Sequence, residues 1–271
     1  MYLIFIGLIL GIIIGGICSL CGMAWWGALI MVLVGLPLAI ATMFIIAIIT
    51  YPFNKKTEYV IKPKKMYGLF IFLAVDFLRV FLRFSVKADG IEKIKDLKNY
   101  ELVINHQGMS DPFLLISLLK RMDIGFMMKK EIMNLKIIGT WMKMAGYYPI
   151  DRQNNRQGLV AMLHAIEAIK NERPIGIFIE GTRSKGPNMG AFHDGSFKMA
   201  QKACSPLVVC VIDNTYKLKK NYPWHRTKVF FKVCEVIPYE DIKDLKTNEI
   251  SEKVRGIMQK ELDNAREQKY V

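Results

Sequence analysis

Leu102-Val103-Ile104-Asn105-His106-Gln107-Gly108-Met109-Ser110-Asp111-Pro112 begins with three apolar residues, two of them β-branched, and then changes to small and polar ones. That change reads as a buried strand leaving a sheet into a loop, with Pro112 suited to the first turn of the next helix. The loop then lies at the carboxyl end of the sheet, where open α/β folds place their ligands. Asp111 has two readings. It can cap the helix, or it can fold back onto His106, five positions earlier. The second arrangement fixes the imidazole tautomer and leaves the other ring nitrogen to accept a proton from a hydroxyl.

Outward from this stretch, short β-rich segments alternate with helical ones. Strands are expected at 85–89, 102–105, 124–128, 147–150, 175–180, 207–212 and 228–236. Helices are expected at 112–120, 135–144, 157–171, 196–202 and 249–267. The pattern predicts an α/β domain with a mixed, largely parallel sheet flanked by helices, over residues 85–271. The strand at 175–180 runs into Glu180-Gly181-Thr182-Arg183-Ser184-Lys185-Gly186. Glycines let this backbone turn tightly, hydroxyls and N–H groups can meet oxyanions, and Arg183 can grip a phosphate bidentately. The plainer reading is a basic surface turn.

Upstream the chain changes character. Lys55 is the first charged residue, so the net charge of +14 belongs wholly to the chain from Lys55 onward. Residues 3–20 and 27–50 are two apolar stretches, each roughly long enough to cross a ~30 Å hydrocarbon core as a helix. Trp25 and Trp26 lie in the short turn between them, as interfacial residues would. The expectation is a transmembrane helical hairpin over 1–54, with Pro37 leaving a re-entrant second arm open. Lys55, Lys56, Lys62, Lys64 and Lys65 then put the charged domain on the cytoplasmic side of the cell membrane. Residues 55–84 read as a basic linker and an interfacial amphipathic helix over 67–84, with a third span or a buried core helix as alternatives.

This composition excludes disorder and an ordinary soluble monomer, and the basic excess suits an anionic partner. Five cysteines at 18, 21, 204, 210 and 234 form no disulfide framework. Cys18 and Cys21 make a CxxC, but they lie in an apolar run without a second pair, so no metal site is expected.

Together, NHQGMSDP (105–112) and FIEGTRSKG (178–186) resemble blocks of the glycerolipid acyltransferase family, in particular its bacterial 1-acylglycerol-3-phosphate O-acyltransferases. GYYPIDR (146–152) and SPLVVCV (205–211) are similar to two further blocks, in the same order. Where the family commonly has serine, proline and proline, this chain has Gly108, Ile179 and Cys210. The resemblance implies that His106, oriented by Asp111, deprotonates a glycerol hydroxyl as it attacks an acyl thioester. Arg183 would bind the acceptor phosphate, Gly181 and Thr182 would line that site, and Glu180 would hold the loop or a glycerol hydroxyl. Lys130 would be a second phosphate contact.

The expected activity is acylation of lysophosphatidic acid at the sn-2 hydroxyl, giving phosphatidic acid in phospholipid biosynthesis. The acyl donor, acyl-CoA or acyl carrier protein, is a co-substrate, and no cofactor is implied. Partners would be the lysolipid, the donor and a phospholipid membrane, with no nucleic acid. Acylation of glycerol 3-phosphate or another lysolipid is the nearest alternative. Two other classes are weighed: a lipid-phosphate phosphohydrolase, and a non-catalytic adaptor or nucleic-acid binder using the positive surface alone. Of the remaining histidines, His164 reads as a helix residue at the edge of packing, and His225 as loop beside a membrane-facing Trp224. His193 is the nearest rival to His106.

Overall fold

The computed structural model describes residues 45, 59–63, 65–119, 123–151 and 154–268. The expected hairpin, apart from Ile45, lies outside these residues, as do Cys18, Cys21, Lys55, Lys56, Lys64 and Arg152. Among the described residues no helix is long and apolar enough to cross a membrane.

The chain runs α1 (Lys65–Phe81), β1 (Phe84–Asp89), β2 (Glu101–Ile104), α2 (Asp111–Leu119), β3 (Gly125–Lys129), α3 (Lys130–Met133), α4 (Lys136–Met144) and β4 (Tyr148–Ile150). It continues α5 (Asn155–Lys170), β5 (Ile175–Phe178), α6 (Lys198–Ala203), β6 (Leu207–Asp213), α7 (Leu218–Asn221), β7 (Thr227–Ile237) and α8 (Thr247–Glu267). The strands form one sheet in the order β1-β7-β6-β2-β5-β3-β4. Every pairing is parallel except β6 with β7. The mixed, largely parallel α/β sheet expected from the sequence is therefore present, and each expected strand matches an observed one to within two residues at either end. The short helices α3 and α7 were not anticipated, since four residues carry too little periodicity to read.

Alternation along the strands explains the three layers. Leu102, Ile104, Val208, Cys210 and Ile212 pack with α1, α2 and α4, whereas Val103, Leu207, Val209 and Val211 pack with α5, α6 and α8. Side chains on a strand point alternately to opposite faces, so one apolar run serves both layers. Fully burying each such side chain stabilises the fold by about 1.5–3 kcal/mol.

Of the expectations for its segment, helix α1 meets that of a core helix. One face buries Tyr67, Gly68, Phe72, Val75 and Asp76 in the domain, with Phe72 and Val75 joining the α2 layer. Asp76 is satisfied there by Arg79 at 3.1 Å and by the Ser117 hydroxyl at 3.1 Å. The other face leaves Met66, Leu69, Val80 and Phe81 exposed. The helix is thus a core element with an apolar outer stripe.

Candidate active site

Strands β2, β5 and β6 end side by side, and the polar stretches that come after them meet at the carboxyl edge of the sheet. Asn105 sets the geometry. Its side-chain amide donates to Ile212 O at 2.9 Å and accepts from Ile212 N–H at 2.8 Å, extending the β2–β6 ladder after the backbone has turned away. His106 is thereby held at the edge.

Asp111 folds back rather than capping forward. Its Oδ2 accepts from the backbone N–H groups of Gln107 at 2.7 Å and Gly108 at 2.9 Å, and it lies 2.8 Å from His106 Nδ1. An oxygen already accepting two N–H bonds requires a donor at Nδ1, so the ring proton sits there and Nε2 is the nitrogen with an open lone pair. The imidazole stacks on Phe178 with ring centroids 4.2 Å apart. Asp111 is fully buried and the His106 side chain is 14% exposed, enough for Nε2 to meet a substrate. Gly108 fits this packing: a Cβ there would lie 3.1 Å from Thr215 Oγ1 and 3.2 Å from Asp111 Oδ1.

The second cluster is joined to the first by two hydrogen bonds to the His106 backbone. His106 N–H donates to Glu180 Oε1 at 2.8 Å, and Ser184 N–H donates to His106 O at 2.8 Å. The other Glu180 oxygen accepts from Gly190 N–H at 2.6 Å. Both carboxylate oxygens are therefore engaged with backbone, which suits loop-holding better than contact with a glycerol hydroxyl. Burial raises the Glu180 pKa above the usual carboxylate range, and the N–H groups of His106 and Gly190 oppose that rise. Gly181 has φ 65°, and a Cβ would lie 2.5 Å from His193 Nε2, so the turn needs glycine. Thr182 and Arg183 are exposed, on the loop that Ser184 pins to His106. The two clusters read from sequence thus share one edge and one hydrogen-bonded frame.

Lys130 stands apart from that frame. Its ammonium bonds Asp151 Oδ2 at 3.0 Å and Gln157 Oε1 at 2.8 Å, so its charge is already matched. His193, the nearest rival to His106, has its ring against Gly181. His164 stacks on Tyr59 at 4.1 Å, at the edge of packing. Among the described residues no group of three or more His, Cys, Asp or Glu could hold a metal ion.

Four supporting residues escaped the sequence reading. Gln107 Nε2 donates to buried Asp213 Oδ1 at 2.7 Å, and Arg266 Nε donates to Asp213 Oδ2 at 2.8 Å. Arg266 also donates to Pro187 O at 2.6 Å, while Arg255 donates to Gly190 O at 2.6 Å. Helix α8 therefore grips both loops from behind. Only the position of Asp213 at a strand's carboxyl end hinted at this.

The His106–Asp111 pair and the loop bearing Arg183 thus stand together at the carboxyl edge of a mixed α/β sheet. Residues 85–213 match the family described as Acyltransferase. A 1-acyl-sn-glycerol-3-phosphate acyltransferase of Saccharomyces cerevisiae is 29% identical over 186 residues, 67% of this chain and 61% of the relative. One from Helicobacter pylori is 28% identical over 182 residues, 66% of this chain and 75% of the relative. The crystal structure of the 1-acyl-sn-glycerophosphate (LPA) acyltransferase PlsC from Thermotoga maritima superimposes with a TM-score of 0.61. It covers 83% of this chain and 93% of that one at 21% identity, a likeness of fold. The first three curated relatives are spanned over 61%, 38% and 33% of their lengths.

Proposed function

We propose that the protein transfers a fatty acyl group from an acyl thioester to the sn-2 hydroxyl of lysophosphatidic acid, giving phosphatidic acid at a membrane. The observation that carries this reading is the 2.8 Å contact between His106 Nδ1 and Asp111 Oδ2, beside the loop that presents Arg183. With the proton on Nδ1, His106 Nε2 takes the proton of the acceptor hydroxyl as that oxygen bonds to the thioester carbonyl carbon. The tetrahedral intermediate expels the thiolate, which takes the proton back from the imidazolium. No bond from acyl group to protein is needed, because the acceptor alcohol is the nucleophile. Arg183 suits the acceptor phosphate, since a planar guanidinium can donate two parallel hydrogen bonds to it.

The names of the yeast and Helicobacter pylori relatives support this acceptor, the apolar stretches at 3–20 and 27–50 support residence in the membrane, and the lysines from Lys55 to Lys65 support a cytoplasmic charged domain. The test is thiol release from acyl-CoA and from acylated carrier protein by the purified full chain. Lysophosphatidic acid, glycerol 3-phosphate and another lysolipid would be offered as acceptors. His106→Ala should fold and reduce transfer by about 10²–10⁴-fold. Undiminished turnover in that variant, or turnover of glycerol 3-phosphate alone, would overturn the assignment.

A further inference from the structure

One corner of the carboxyl edge carries aromatic tips and positive charge that acyl transfer does not use. Trp224 is 80% exposed in the loop before β7, and Phe81, at the end of α1, is 55% exposed. Phe81 and Tyr222 have ring centroids 6.0 Å apart, and Arg83 Nη1 donates to Pro223 O at 2.9 Å. The end of α1 and the 222–226 loop are therefore one surface. Val80, Arg83, Phe84, Ser85 and Arg226 line a shallow, open depression within it. Arg226, with the Arg83 donors not given to Pro223 and the Ser85 hydroxyl, suits an anionic oxygen group. Besides Arg79, which is paired with Asp76, residues 77–88 hold Arg83 and Lys87, and residues 214–231 hold five Lys or Arg; neither stretch contains Asp or Glu.

The register places this corner at the reacting end of the sheet. β7 runs antiparallel to β6 with Phe230 opposite Asp213, and β2 flanks β6 with Ile104 opposite Cys210. The amino end of β7 thus lies at the same edge as His106, two strands across, which is about 10 Å at ~4.8 Å per strand. Met109, in the His106 loop, is 73% exposed at that edge too.

We propose that this corner docks the domain on an anionic phospholipid bilayer, with Trp224 and Phe81 at the headgroup boundary and a lipid phosphate between Arg83 and Arg226. A bilayer meets both demands at once. Indole rings favour the interface, and basic side chains beside it are attracted to acidic lipids. Docking there turns the edge bearing His106 towards the layer that holds lysolipid. The inference rests on the reading of an enzyme that works at a membrane, not on which acceptor it takes.

The full chain would be reconstituted in phosphatidylcholine vesicles with or without phosphatidylglycerol, and with brominated acyl chains as quenchers. The difference in emission between the unaltered chain and Trp224→Tyr isolates Trp224. With phosphatidylglycerol that signal should be blue-shifted and quenched about twofold or more by brominated lipid. Arg226→Glu together with Lys219→Glu should raise the phosphatidylglycerol needed for half-quenching, by about fivefold per charge removed. Neither substitution touches Arg83, whose carbonyl anchors Thr227 N–H, and circular dichroism checks the fold. A Trp224 signal that stays water-like in every vesicle would overturn the proposal. So would an equal response without phosphatidylglycerol, or one elicited by inorganic phosphate or an oligonucleotide in neutral vesicles. The readout does not involve turnover, so this surface and the acyltransferase reading fail separately.

Discussion

The backbone N–H of His106 donates to Glu180 Oε1 at 2.8 Å, across 74 residues of chain, while Glu180 Oε2 accepts from Gly190 N–H at 2.6 Å. One carboxylate thereby ties the proton-accepting loop to both ends of the loop that carries Arg183. Glu180→Gln keeps one acceptor oxygen and turns an amide donor towards the other N–H. A buried N–H left without an acceptor costs about 1–3 kcal/mol, which denaturant unfolding would show. The displaced loops should slow transfer by up to about 10²-fold, read by thiol release.

Asp111→Asn tests the tautomer. A neutral amide is a poorer acceptor for Nδ1–H and can turn to donate instead, which would move the ring proton to Nε2. We expect kcat to fall by about 10²–10⁴-fold. KM for the acceptor should change little, because Asp111 is fully buried behind the ring. Steady-state kinetics across a range of acceptor concentrations would separate the two parameters.

Arg266 acts through Asp213 on Gln107, so it is a positioning residue. Arg266→Gln should lower kcat more than it changes acceptor KM. It should also be non-additive with Gln107→Ala, with a coupling of about 0.5–3 kcal/mol in a double-mutant cycle. Simple additivity in both stability and kcat would show that the chain of bonds from α8 to the His106 loop has no energetic consequence.

Glu101 predicts a pH dependence of stability. Its carboxyl is fully buried at the start of β2, with Oε2 accepting from Ala200 N–H at 2.6 Å, and burial pushes its pKa from 4.5 up to about 8. Between those values the folded protein keeps a proton that the unfolded chain has released, so stability falls as pH rises through the window. The full effect is at most about 5 kcal/mol. Thermal unfolding from about pH 5 to about pH 8 should show this decline, and Glu101→Gln, which retains an acceptor for Ala200, should flatten it.

The central strands were legible because they are short runs rich in Val, Ile, Leu or Phe bounded by polar or turn residues, as at 207–212. The His106 and Arg183 loops were legible because residue types that strands do not need come directly after strand ends. Gln107, Asp213 and Arg266 were not. Their bonds span 106 and 53 residues, and no periodicity in a single chain records a contact of that range. The family resemblance implied a phosphate contact at Lys130, and its bonds to Asp151 and Gln157 were not legible in the sequence.

From sequence alone came the succession of strand and helix segments, the uncharged stretch before Lys55, and the identity of the groups at the strand ends, all of which are local properties of residue type and spacing. Tertiary structure alone decided that Asp111 turns back to His106 instead of capping α2, and that α1 buries one face while exposing the other. It also brought Phe81 and Trp224 to the edge that bears the imidazole. Those outcomes depend on which strands become neighbours and in which direction they run, and hydrogen bonding across the sheet determines both.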